Sequence, residues 1–155
     1  MKNPIALIID AITGVTARVS DDGRLKVSID FTIPEGKTPV LEGGKVAITG
    51  NGGTNTFNWI IPDGEDFVLS SFEFGGYVPD AGQDGLIAKS ELYYQPNGNT
   101  TGEVLLDIVY LQGVSGLRVP FGYKITGDGI KRLSVVTINQ SDKVGEFKRF
   151  VKGYY

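Results

Sequence analysis

Between Arg24 and Ile33 apolar and polar residues alternate without an exception. A strand turns successive side chains to opposite faces, so Leu25, Val27, Ile29, Phe31 and Ile33 share one face and Arg24, Lys26, Ser28, Asp30 and Thr32 share the other. A helix, with 3.6 residues per turn, would scatter both sets around its circumference. One buried and one wet face is the signature of an antiparallel sheet, whereas strands of parallel sheets are covered on both faces. This stretch therefore commits its part of the chain to β-structure, and weaker copies of the pattern follow it.

Ahead of it, Ile5 to Ile9 is a short β-branched run after Pro4 and reads as an extended arm. Val15 to Val19 and the tight Ser20-Asp-Asp-Gly23 connection make a β-hairpin with the opening strand. Pro34 and Pro39 with Gly36 end that strand, which sets an attachment segment over 1–33 and a sandwich domain over 34–155. Strands are expected over 45–49, 56–61, 66–74, 86–95, 103–112, 117–120, 123–126, 130–139 and 145–152. Val104 to Leu111 has the apolar content of a helix, but Gly102 and Gly113 bracket it and its Val, Ile and Tyr residues favour a strand. Glu42-Gly-Gly44 reads as a break, Gly50 to Asn55 as a hairpin loop, and Asn97-Gly98 as a hairpin turn. The last two strands read as a closing hairpin. The fold class is all-β, an antiparallel two-sheet β-sandwich of jelly-roll or Ig-like winding.

The chain is 155 residues long, enough for one core that needs no cross-link. Its 15 Lys and Arg among 18 Asp and Glu leave a net charge of −3, so no basic field exists to gather phosphates and nucleic acid is not an expected partner. It contains no Cys and no His. That removes thiolate and imidazole metal ligands, the usual general base near neutral pH, and every Ser/His or Cys/His pair. Asp21 with Asp22, Asp63 with Glu65 and Asp66, and Asp80 with Asp84 all sit at turns and fit no calcium loop. Glu73, Glu91, Glu103 and Asp107 lie on expected strands, where the sequence cannot pair them; Asp107 reads as outward-facing or as an interface ion pair. No catalytic residue, metal site or cofactor is expected. Ile5 to Ile9 is too short for a signal core or a membrane span, so a soluble protein made in the cytosol, with no membrane partner, is expected.

Three expected strands carry apolar groups on both faces. In 66–74, Val68, Phe72 and Phe74 oppose Phe67 and Leu69; in 130–139, Leu133, Val135 and Thr137 oppose Ser134, Val136 and Ile138; 103–112 is apolar almost throughout. One sandwich has one interior, so the second faces call for cover from like subunits in a symmetric oligomer, three-fold packing being one solution. Ile5, Leu7 and Ile9 of the arm, with Val136, Ile138, Tyr154 and Tyr155, are the candidate interface residues. Tyr77, Tyr93 and Tyr94 are the candidates for a glycan platform, since a flat ring matches the C–H face of a sugar. Core filling is the plainer use of the same rings.

Ile9-Asp10, Thr13-Gly14, Ala17-Arg18-Val19 and Asp22-Gly23-Arg24-Leu25-Lys26-Val27 together resemble a segment common in tailed-bacteriophage virion proteins. Ile61-Pro-Asp-Gly-Glu65 before a strand, Gly127-Asp-Gly129 before Leu133, and the closing Val151-Lys-Gly-Tyr154 are similar to jelly-roll domains that end many such proteins. The resemblance implies a non-enzymatic virion structural protein. Its first form is a trimeric capsid decoration (cement) protein, made in the host bacterial cytoplasm and carried on the virion surface. There it would bind the major capsid protein or another virion protein, with the N-terminal arm as tether. The alternative it implies is a tail or fibre adhesin, a glycan-binding receptor module.

Overall fold

The structure, a computed structural model, describes residues 7–10, 15–19, 25–29, 33–78, 86–112 and 115–155, with side chains over 33–78, 87–112 and 121–155. The chain divides into two compact units, 1–36 and 37–155. In the first, β1 (Leu7–Asp10), β2 (Val15–Val19) and β3 (Leu25–Ile29) form an antiparallel meander in the order β1-β2-β3. Leu25 pairs with Val19 and Ile29 with Val15. Phe31, and the direction of the β3 side chains, lie outside the described residues.

The second unit contains β4 (Pro39–Ile48), β5 (Thr54–Ile60), β6 (Asp66–Tyr77), β7 (Leu86–Gln95), β8 (Val104–Gln112), β9 (Ser115–Thr126), β10 (Arg132–Asn139) and β11 (Gly145–Tyr154). They form two antiparallel four-stranded sheets, ordered β4-β11-β6-β9 and β5-β10-β7-β8. Only the β7–β8 connection, built on Asn97-Gly98, stays within one sheet. Every other connection crosses between sheets, which is the winding of a jelly roll rather than of an Ig domain. No helix occurs among the described residues.

Three sequence expectations change. β10 and β11 do not close as a hairpin, because each finds its partners in a different sheet. Gly50 to Asn55 is likewise a crossover and not a hairpin loop, and β4 runs straight through Glu42-Gly-Gly44 to begin at Pro39. A strand at the end of a sheet tolerates a proline at its start. The two short segments around Pro120 and Gly122 are one strand, β9, likewise at a sheet end.

A further change concerns β6. Its pairing with β9 and with β11 shifts register around Ser70, a β-bulge that adds one residue and reverses the parity of the strand. Phe67 and Leu69 before the bulge and Phe72 and Phe74 after it are consequently all buried in the same core. The double apolar face that the sequence suggested for β6 does not exist, and this strand needs no partner.

The core lies between the sheets. Phe67, Leu69, Phe72, Phe74, Phe147 and Val151 from one sheet meet Ala88, Leu92, Val109, Leu111, Leu133 and Val135 from the other. One end is fastened by the buried Asn139. Its Nδ2 donates to the carbonyls of Ile48 at 2.9 Å and Lys143 at 2.7 Å, while its Oδ1 accepts from the Ser141 amide and hydroxyl. Its backbone also exchanges bonds with Gly52 and Gly53. One side chain thus ties the β4–β5 and β10–β11 crossovers, whose own backbone groups have few ladder partners.

Candidate interaction face

The surface that stands out is the outer face of the β5-β10-β7-β8 sheet. Registered residues in antiparallel strands point to the same side, so the outward rows can be read directly. They are Thr54, Ile138, Lys89 and Tyr110; Thr56, Val136, Glu91 and Ile108; Asn58, Ser134, Tyr93 and Leu105; and Ile60, Arg132 and Gln95. Tyr110 and Ile60 are each 52% exposed and Leu105 45%. Val136, Ile138, Ile108 and Tyr93 are half-buried among their neighbours.

The polar groups of this face bond to one another and to Glu103. Lys89 Nζ donates to Glu91 Oε1 at 2.7 Å and the Tyr93 hydroxyl donates to Glu91 Oε2 at 2.9 Å. The Lys89 bond holds the Glu91 carboxyl below its ordinary range, and the Tyr93 bond helps against the burial that opposes it. Burial and then the Glu91 bond push the Tyr93 hydroxyl up. Arg132 Nε donates to Gln95 Oε1 at 2.6 Å, and Gln95 Nε2 to Glu103 Oε2 at 2.8 Å. A flat layer of mutually paired polar groups therefore lies among Ile138, Val136, Ile108, Leu105 and two tyrosines. Such a layer has little left to offer an ion but presents carbon to a partner surface.

Val136 and Ile138, expected at an interface, sit on this face, and Tyr93 joins them. Tyr154 and Tyr155 do not. Ile5 lies outside the described residues, as do the side chains of Leu7 and Ile9, whose backbone belongs to β1. Tyr154 is on the opposite sheet, registered with Pro39 and Val68. Tyr155 packs edge-to-face on the buried Phe67 with ring centroids 6.0 Å apart, so it closes the end of the core. The glycan trio also separates. Tyr77 is exposed at the end of β6 in the other sheet. Tyr94 is adjacent to Tyr93 on β7, so it must point the opposite way, inward, where it packs on the core and meets Tyr123 edge-to-face at 6.0 Å.

Ile60, Leu105, Ile108 and Tyr110 complete the face and were not singled out from the sequence. The alternation Tyr110, Ile108 marks them, but a bulge around Leu106 hides Leu105 from that count. Asp107 falls at the same bulge, half-buried opposite the core residue Leu92 rather than outward; its Oδ1 accepts the Ile108 amide at 2.7 Å. The acidic turns serve the backbone and neighbouring lysines. Asp128 accepts the amides of Ile130 and Lys131, and Asp66 holds Lys124 and Thr126. Among the described residues no three acidic side chains gather into a cation site; Asp21, Asp22, Asp80 and Asp84 lie outside them.

No protein-family model and no curated protein matches the sequence. Solved structures give distant likenesses. A crystal structure of PirA is 12% identical with a TM-score of 0.42, over 70% of this chain and 92% of that one. The carbohydrate-binding module TmCBM61, solved with β-1,4-galactotriose, is 10% identical with a TM-score of 0.32, over 99% and 87%. The VP2 subviral particle of infectious bursal disease virus is 10% identical with a TM-score of 0.42, over 97% of this chain and 37% of that one. Likeness at this level assigns no function.

Proposed function

We propose that this is a non-enzymatic virion structural protein, a capsid decoration (cement) protein of a tailed bacteriophage, whose jelly roll packs against like subunits, as a trimer, on the particle surface. The observation that carries the reading is the outer face of the β5-β10-β7-β8 sheet, where two of the three strands expected to be apolar on both sides, β8 and β10, lie in one sheet. Four strands at ~4.8 Å spacing and four outward rows at ~7 Å give a flat patch of roughly 500 Å². A standard interface covers about 800 Å² per partner. The patch alone supports a weak contact, so a second attachment is required, and the segment 1–33 with its resemblance to phage virion proteins is the candidate tether.

Purified protein is expected to be oligomeric by mass photometry at micromolar concentration, and Val136→Lys with Tyr110→Lys to be monomeric with an unchanged circular dichroism spectrum. The protein is expected on purified particles, and a variant lacking residues 1–10 is expected to detach from them. A monomeric wild type removes the subunit contact; absence from virions removes the virion role. Tyr93 and Tyr110 on one face favour a second reading, a glycan-binding receptor module. A glycan array without hits counts against it.

A further inference from the structure

Arg149 is 5% exposed, between the two sheets of the second unit. Its Nη1 donates to the Asn55 carbonyl at 3.0 Å and to Thr137 Oγ1 at 3.1 Å, its Nη2 donates to Asn55 Oδ1, and its Cζ lies over the Phe57 ring, 5.9 Å from the centroid. Every one of these partners is neutral. No described carboxylate forms an ion pair with it. A buried cation without a counter-charge is costly, and it is tolerated where its hydrogen bonds are met or where an anion arrives.

A guanidinium has five N–H donors in a flat fork. Asn55 occupies the end of the fork, taking one hydrogen from each Nη, and Thr137 takes the second Nη1 hydrogen. The Nε–H and the second Nη2–H remain, parallel along one side. That edge matches the two oxygens of a carboxylate. Among the described side chains the Ser71 hydroxyl is the one atom both dry and unpartnered; Arg149 Nε, which has no partner of its own, is therefore not fully dry.

The flank beside it is open. Gly44 on β4 is registered with Arg149, so a side chain there would point between the sheets, and a Cβ built on it meets no atom within 4 Å. β4 and β5 each end their sheet, so neither sheet of the second unit carries a further strand on this side. Glu42, the next inward position on β4, is registered with Val151 and forms no ion pair with the guanidinium.

We infer that the gap at Gly44 and the free edge of Arg149 form a carboxylate-binding slot, filled by a small carboxylate anion or by an acidic side chain of a partner protein. The slot belongs to the second unit alone and stands independently of the virion reading. The test follows the arginine Nε–Hε cross-peaks of the full chain by NMR. It titrates sodium acetate, and separately an N-acetyl-Ala-Asp-Ala amide peptide, against sodium chloride of equal ionic strength.

One cross-peak, the one missing from Arg149→Lys, should move saturably, and Tm should rise by a few degrees at about ten times the Kd. Gly44→Leu should weaken the effect by about tenfold or more while leaving Tm in chloride no lower than that of the wild type. Tighter binding of the peptide assigns the slot to a partner side chain, and equal binding assigns it to a free anion; either outcome sustains it. A cross-peak that stays still throughout the wild-type titration overturns the slot, whether or not Gly44→Leu folds. So does an equal displacement produced by Glu42→Gln alone, since the fork would then be served by the chain's own carboxylate.

Discussion

Phe147 lies across bare backbone, and Gly76→Ala tests how tightly. A methyl at position 76 would stand 2.3 Å from Phe147 Cδ1, 2.9 Å from Cε1 and 3.1 Å from the Glu146 carbonyl. The ring has little room to retreat. On its other side a Cβ at Gly145 would fall 2.6 Å from Cε2 and Cζ, Phe74 stacks at 6.0 Å, and the side chain is fully buried. Replacing a strand glycine lowers unfolded-state entropy and alone stabilises by about 0.4–1 kcal/mol. Overpacking a filled core costs about 1–3 kcal/mol, and because the ring is hemmed in by backbone the upper half of that range applies. The net loss expected is about 1–2.5 kcal/mol, read as a fall in the urea midpoint at constant slope. Phe147→Leu should cost a similar amount by opening a cavity. In the double variant the new methyl occupies part of the vacated space, so a favourable coupling of about 1 kcal/mol is expected. Gly76→Ala at wild-type stability, or strict additivity in the cycle, would refute the picture of a ring resting on glycine.

Asn139→Ala removes four side-chain bonds at the crossover end and should destabilise by about 2–3 kcal/mol; an unchanged midpoint would show that water replaces them. The Glu91 carboxyl is held below its ordinary value of 4.5, chiefly by the Lys89 bond. The folded state therefore binds fewer protons than the unfolded chain, so the stabilisation is present above the unfolded pKa and disappears as pH falls through the folded one. Glu91→Gln should flatten the loss of stability across the acid range, and an identical acid profile in the variant would contradict the pairing. Arg149→Met keeps the packing on Phe57 and removes a desolvated charge, but strands two Asn55 oxygens at about 1–3 kcal/mol each. Arg149→Lys keeps the charge and loses the fork. The expected order of urea midpoints is wild type, Met, Lys; a Lys variant equal to wild type would mean that the planar geometry contributes nothing.

A part of the face was legible. Period-2 counting placed Val136 and Ile138 opposite Leu133 and Val135, which is where β10 puts them. The same counting puts Arg149 between Phe147 and Val151 on the buried side of β11; the signal was present, and only the expectation that charges stay outside obscured it. It failed where a strand carries an extra residue. The bulge near Ser70 folds two apparent faces of β6 into one, and the bulge at Leu106 moves Leu105 outward. Nothing local to either segment announces the insertion, because a bulge exists only relative to the strand beside it.

By itself the sequence determined the material of the fold: strands rather than helices, turns at Gly and Pro, an inward and an outward set along most strands, and enough apolar residues for a two-layer core. Those properties are local, fixed by the alternation of side chains along an extended backbone. Only the tertiary structure decided that β10 lies beside β5 and β7 while β11 joins β4 and β6, and this gathered Tyr93, Tyr110, Ile108 and Val136 onto one surface and sent Tyr77 and Tyr94 elsewhere. Backbone N–H and C=O groups are the same on every strand, so pairing partners are chosen by how well whole faces pack together.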